Sequence, residues 1–225
     1  MTLKLQSVWE QIKKAFTFVV EECIKFPMYI IFHPFKGFDE FKRDKRAKMS
    51  VSIIFIIALI FLNILSYQYE GYIVNSRDIN DLNSFAEIAY IIIPILVFVF
   101  ANWSITTLFD GKGKVIEIFM LISYSLFPMI VTKLIGLFVS NIVVQDEIAL
   151  YGLILGLGTF GTGIMLFTGL VSIHEYGIVK CVITIVFTLL AAAVILFVAL
   201  LCFDLFQKVF GFVYTIYREI SLRYF

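Results

Sequence analysis

The chain has 225 residues, of which 61% are hydrophobic and 16% charged, with a net charge of +1 and a mean hydropathy of +0.97. Polar groups this sparse do not cover the surface of a soluble domain, and a net charge near zero gives no electrostatic case for a nucleic-acid partner. Of the 18 Lys and Arg, 10 lie in the first 48 residues and long apolar tracts follow, the profile of a multi-span membrane protein.

Residues 1–49 read as an amphipathic region before the first span. Leu5, Trp9, Ile12, Phe16, Val19 and Val20 recur at helical spacing, with Lys13, Lys14 and Glu21 between them. A helix over 5–24 is expected to lie in the headgroup layer or against a partner. Lys13, Lys14, Glu21, Glu22, Lys25 and Pro27 interrupt any apolar core, so no cleavable signal peptide is expected. "HPFKGFDEFKRDKRAK" follows, from His33 to Lys48. Pro34 and Gly37 are expected to break the helix and turn the chain toward the membrane normal. Phe35, Phe38 and Phe41 would press that turn into the interface. The basic cluster Lys42–Lys48 locks the first span's orientation.

Five apolar segments then reach the ~20 residues needed to cross ~30 Å of hydrocarbon: 50–67, 85–107, 115–139, 149–172 and 181–203. Inside lipid each must be helical. Pro94 and Pro128 are expected to kink spans two and three, with Ser123 and Ser125 placed to satisfy the freed carbonyls. Counting Lys and Arg in alternate connections gives 13 on the N-terminal side against 4 opposite, which puts the N-terminus in the cytoplasm. The connections near Gly111 and Tyr176 would share that side, and Arg77 and Asp146 would face out. The tail, residues 204–225, is aromatic with few charges and reads as a second interfacial helix. Its Tyr214, Tyr217 and Phe225 would form a belt at the lipid boundary or contact a partner. The expected fold is therefore an all-α membrane protein of five transmembrane helices, occupying 50–203, with amphipathic N- and C-terminal interfacial helices.

Motifs that carry chemistry are scarce. Gly156–Gly161 reads "GLGTFG", but a dinucleotide loop needs a preceding strand and a following acidic residue. Inside an apolar span it reads as helix packing, with Gly152 and Gly156 at small-xxx-small spacing. His33 and His174 are the only histidines, and Cys23, Cys181 and Cys202 show no paired spacing. No metal set, cofactor site or nucleophilic triad is expected. Lys133, 18 residues into its span, sits about 27 Å along the helix, close enough to the interface to snorkel. Asp110–Gly113 reads as a tight turn in which Gly111 and Gly113 supply positive φ. It is expected to form a composite face with His33–Phe38 (His33, Pro34, Phe35, Gly37, Phe38) and with His174 and Tyr176. Asn102 and Trp103 lie at the same end of span two, where an aromatic belt residue belongs.

"HPFKGFDEFK", "ANWSITTLFDGKG", "SYSLFP" and "IHEYGIVK", in that order and spacing, resemble the bacterial branch of the Yip domain family over roughly residues 30–220. The resemblance implies five spans, a cytoplasmic N-terminus and a bacterial plasma membrane. It brings no catalytic residues. Eukaryotic members bind Rab-type GTPases and carry an Asp-Leu-Tyr-Gly-Pro motif that this chain lacks. Bacterial members are often associated with carbohydrate ABC importers. The expected function is thus non-enzymatic: binding of other membrane proteins, with ABC permease subunits and the lipid bilayer as partners. The alternative is a stand-alone small-solute transporter or channel.

Overall fold

The computed structural model describes residues 9–10, 13–14, 17–75, 77–78 and 82–224. A π-helical stretch, Val19–Lys25, opens the described N-terminal part. Eight α-helices follow: α1 Phe26–Phe32, α2 Pro34–Arg43, α3 Met49–Tyr69, α4 Ser84–Leu108, α5 Val115–Ser125, α6 Phe127–Val139, α7 Ile148–His174 and α8 Ile178–Tyr224. No strand occurs among the described residues. Five segments are long and apolar enough to cross a membrane: α3, α4, the α5–α6 pair, α7 with its leading turn, and α8. The bundle is held by α6 against α7, α4 against α8, and α5 against α7, with α3 bordering α4, α5 and α6.

Pro128 explains why the third span is two helices. Lacking an N–H, it frees the carbonyl four residues earlier and its ring crowds that turn, and the chain pivots at Leu126. Pro94 has the same chemistry yet stays inside the continuous α4, so only one of the two expected kinks becomes a break. The Ser123 hydroxyl donates to the Phe119 carbonyl at 2.9 Å. Ser125 Oγ, expected to help satisfy the freed backbone, is buried without a partner among the described residues.

The segment before the first span is not the interfacial ramp that its composition suggests. The corner falls at His33, at φ −132° and ψ 64°, and Pro34 starts α2 in the first helical turn, where its missing N–H costs nothing. Gly37 lies inside α2 and breaks nothing. A Cβ there would stand 2.9 Å from Ile30 Cα, so Gly37 allows α1 and α2 to fold flat on each other. Phe38 and Phe41 are not pressed into headgroups but are core residues, and only Phe35 is exposed. The Phe26, Phe41 and Phe55 rings all meet Tyr124 edge-on, at 5.9, 5.3 and 5.4 Å between centroids. Each such pair adds about 0.5–1.5 kcal/mol beyond area burial. Tyr124 Oη also accepts the Lys48 backbone N–H at 3.2 Å. The α1–α2 hairpin is thereby wedged between the ends of α5 and α7. Of the helix expected over 5–24, Leu5, Ile12 and Phe16 lie outside the described residues, while Trp9 and Val19 are exposed.

The tail differs from expectation as well. It is not a separate interfacial helix: α8 runs unbroken for 47 residues, about 70 Å at 1.5 Å per residue.

Candidate functional site

The helix ends Thr106–Phe109 and Val171–His174 carry the site, and both stop in the same way. After α4, Asp110 takes the left-handed conformation at φ 56° and the Gly111 N–H returns to the Thr106 carbonyl at 2.7 Å. After α7, Glu175 does so at φ 56° and the Tyr176 N–H returns to the Val171 carbonyl at 3.1 Å. These are Schellman-type closures with an acidic residue where glycine is usual. The expected reason for Gly111 and Gly113 therefore fails, because neither has positive φ. Close approach requires them instead. A Cβ on Gly111 would lie 2.6 Å from Tyr176 Oη and 2.7 Å from His174 Nδ1, and one on Gly113 would lie 2.6 Å from His174 Cε1.

That closeness puts His174 into a hydrogen-bonded row. The Gly113 N–H donates to His174 Nδ1 at 3.3 Å. His174 Nε2 is 3.0 Å from Asn102 Oδ1, and since a carbonyl oxygen only accepts, Nε2 carries the proton. Asn102 Nδ2 donates to Thr188 Oγ1 at 3.2 Å, and Thr188 donates to the Thr184 carbonyl at 2.7 Å. The row ties the Asp110–Lys114 connection to α4, α7 and α8. Asn102, His174 and Thr188 are all buried, so removing one member strands its neighbours at about 1–3 kcal/mol. Tyr176 stacks on His174 with centroids 5.3 Å apart. Its hydroxyl reaches the last carbonyls of α4, Phe109 O at 3.0 Å and Thr106 O at 3.3 Å. Burial, with the Asp110 carboxylate adding to it, pushes the Tyr176 pKa up, which keeps the hydroxyl a donor.

Above the row lies an ion cluster that reading by motif missed. Glu175 accepts from Lys112 Nζ at 2.5 Å and from Lys42 Nζ at 3.1 Å, and Lys42 also donates to the Ile173 carbonyl at 2.7 Å. The bonds from Lys112 and then Lys42 hold the Glu175 carboxyl down at about 2. Lys42 thus connects α2 to the end of α7. The signal for it in sequence is faint: one lysine among the five basic residues of Lys42–Lys48.

The structure accordingly brings together Asn102, Asp110, Gly111, Gly113, His174 and Tyr176 and leaves out the others. His33 is exposed and stacks on Tyr29 at 5.2 Å, away from the row. Pro34 and Phe35 stay with it, Gly37 and Phe38 belong to the core, and Trp103 is half exposed on the outer face of α4. Tyr214 and Tyr217 lie far along α8, 65% and 69% exposed. Among the described residues no group of His, Cys, Asp and Glu could hold a metal ion. Cys23 and Cys181 are buried and Cys202 exposed, all as free thiols.

The opposite end is tied separately. Glu70 accepts from Arg77 and from Tyr151, and the Gly71 N–H donates to Ser140 Oγ at 3.0 Å. Lys133, expected to snorkel, instead donates to Asn63 Oδ1 of α3 at 2.5 Å.

The fold and this site define a multi-pass helical membrane protein whose connections close into a separate polar cluster at each end. The Yip1 domain family model matches residues 28–200, well over half of the chain, and the protein belongs to that family. No curated protein and no solved structure matches the chain.

Proposed function

We propose that the protein is a non-enzymatic membrane protein that binds other membrane proteins, and that it makes this contact through α8. The observation that carries the reading is the uncovered length of α8. Cys181, Thr184 and Thr188 are buried at its start, whereas Phe203, Phe206, Phe210, Tyr214 and Tyr217 are exposed. About 20 residues satisfy the bilayer, and α8 has 47. The uncovered half carries these aromatics among only five charged residues, Asp204, Lys208, Arg218, Glu219 and Arg223, and an exposed apolar surface of that kind marks contact with protein or lipid. Aromatic side chains give large contact area at low entropic cost. The family resemblance brings forward one partner class, the permease subunits of a carbohydrate ABC importer in a bacterial plasma membrane.

A second reading, a small-solute pathway through the bundle, has one observation on its side: the Lys133–Asn63 pair lies within the spans, where ionisable groups often mark a pathway. Against it stands the aromatic wedge around Tyr124, which fills the other end of the bundle.

Affinity purification in mild detergent with mass spectrometry separates the two. Under the binding reading, permease subunits co-purify with the full chain. Deletion of residues 208–225 releases them while the five spans still insert. Retention of the partner after that deletion would move the contact away from the tail. A solitary homo-oligomer carrying solute flux in vesicles would favour the pathway.

A further inference from the structure

A recess of about 320 Å³ opens between α2, the turn that follows it, and the start of α5. It lies outside the His174 row. Lys42, Lys45 and Lys114 stand around it, and Phe41, Met120 and Ile116 form its apolar lining. We propose that this recess binds an anionic phospholipid, with the phosphodiester between Lys45 and Lys114 and an acyl chain along Ile116 and Met120.

Charge bookkeeping at the recess favours an anion. Lys42 is already engaged by the Ile173 carbonyl and by Glu175. Glu117, the carboxylate in the lining, accepts the Lys114 backbone N–H at 3.0 Å and keeps its charge, so Lys45 and Lys114 together outweigh it. Nearby Arg46 is held by Glu40 at 3.0 Å and Lys48 by Glu22 at 2.7 Å. Lys45 and Lys114 are both exposed, and their ammonium groups have no acceptor among the described residues. Lys45 is held at the recess by a left-handed backbone, φ 49°, which a residue with a Cβ adopts at a cost of order 1 kcal/mol. The chain spends that energy at a turn where glycine would be free of strain.

Depth and lining select a lipid over a soluble anion. Lys114 immediately precedes the helix of span three, so its ammonium falls at headgroup level. Ile116 is 62% exposed and lies on the span surface that acyl chains cover. An ammonium at headgroup height with an aliphatic track below it matches a phospholipid, phosphate above and chain below. A zwitterionic headgroup would bring its own ammonium to the same rim and be disfavoured.

The test uses the full chain in nanodiscs of mixed phosphatidylcholine and phosphatidylglycerol, with retained lipid read by native mass spectrometry. The wild type is expected to keep phosphatidylglycerol in preference to phosphatidylcholine. The double variant Lys45→Gln/Lys114→Gln is expected to weaken that preference at least about tenfold, each lysine contributing an attraction of the size seen at anionic surfaces. The variant Lys45→Arg/Lys114→Arg keeps charge and should keep the lipid, while Lys208→Gln, on the tail, should change nothing. Undiminished preference in the glutamine variant would overturn the proposal. So would displacement of the lipid by glycerol phosphate at millimolar concentration, which would mark a soluble-anion site. If the charged variant also lost the lipid while melting like wild type, simple charge attraction would be refuted.

Discussion

Gly111 shows how a turn residue is chosen by its neighbours. Its own backbone would accept alanine, since its φ is not positive. The added methyl would nevertheless meet Tyr176 Oη at 2.6 Å, and also Thr106 Cβ at 2.7 Å, which has no rotamer to escape into. Gly111→Ala is therefore expected to cost about 1–3 kcal/mol, the usual range for overpacking, as a lowered melting temperature in detergent. Gly163→Ala, inside α7 where a Cβ has nothing within 4 Å, serves as the control that should lose no stability. Equal melting of the two variants would refute the steric account. Glu175 tests the ion cluster by pH. Its carboxyl is depressed from 4.5 to about 2 by Lys112 and Lys42. A depressed carboxylate contributes stability above its unfolded pKa and loses it as pH falls through the folded one. The difference in melting between wild type and Glu175→Gln should thus be constant above about 4.5 and vanish toward about 2. It should be small and shrink with salt, because the carboxylate is exposed. A difference that grew on acidification would overturn the assignment. The sequence made the glycines visible as turn residues, but only the folded contacts between positions 61 and more residues apart, such as Gly113 with His174, reveal what they make room for.

At the scale of elements, the glycine-rich α7 is the instructive case. Spacing alone favours Gly152 and Gly156 as the packing pair, yet a Cβ at either has nothing within 4 Å. The close approach to α6 is at Gly158, where a Cβ would sit 1.7 Å from Thr132 Oγ1, and at Gly161, 3.2 Å from Pro128 Cβ, while Gly169 makes room for α5, 2.1 Å from Leu121 Cδ1. A small-xxx-small pattern says that helices can come close but not on which face, because the face depends on the rotation α6 takes after its break at Leu126. Gly158→Val should weaken the α6–α7 contact by about 1–3 kcal/mol, seen as a lowered unfolding midpoint, whereas Gly152→Ala should stay within about 0.5 kcal/mol of wild type. The opposite order would restore the spacing argument. Legibility followed the same division elsewhere. The spans were readable because twenty apolar residues admit one solution in lipid. The α1–α2 wedge was not, since Phe38 and Phe41 in a basic segment look interfacial until Tyr124 is known to receive Phe41, on which Phe38 packs in turn. The length of α8 was not readable either, because Asp204 and Lys208 suggest an end to the span but pair with each other at 2.7 Å along a continuous helix.

For the whole molecule, the two ends of the bundle are now distinct in chemistry. Lys42, Lys112, Glu175 and the His174 row bind one end together. Glu70, Arg77, Tyr151 and Ser140 bind the other. The pairing of Gly113 with His174 and of Asn141 with the Tyr69 carbonyl at 2.9 Å fixes which connections share a side, independently of any charge count. What charge adds is the direction. The end that carries Lys42–Lys48, Lys112, Lys114 and Lys180 holds most of the basic residues outside the spans, and it is therefore the end expected in the cytoplasm. The tail opposes this with Lys208, Arg218 and Arg223, but the charges flanking the first span usually dominate, and Lys208 is partly neutralised by Asp204. In a variant with Cys23, Cys181 and Cys202 replaced by serine or alanine, a cysteine at position 112 is expected to react with a membrane-impermeant maleimide only after the cells are opened. One at position 146 is expected to react in intact cells. Labelling of position 112 from outside would invert the whole bundle, and with it the leaflet from which the recess at Lys45 and Lys114 draws its lipid.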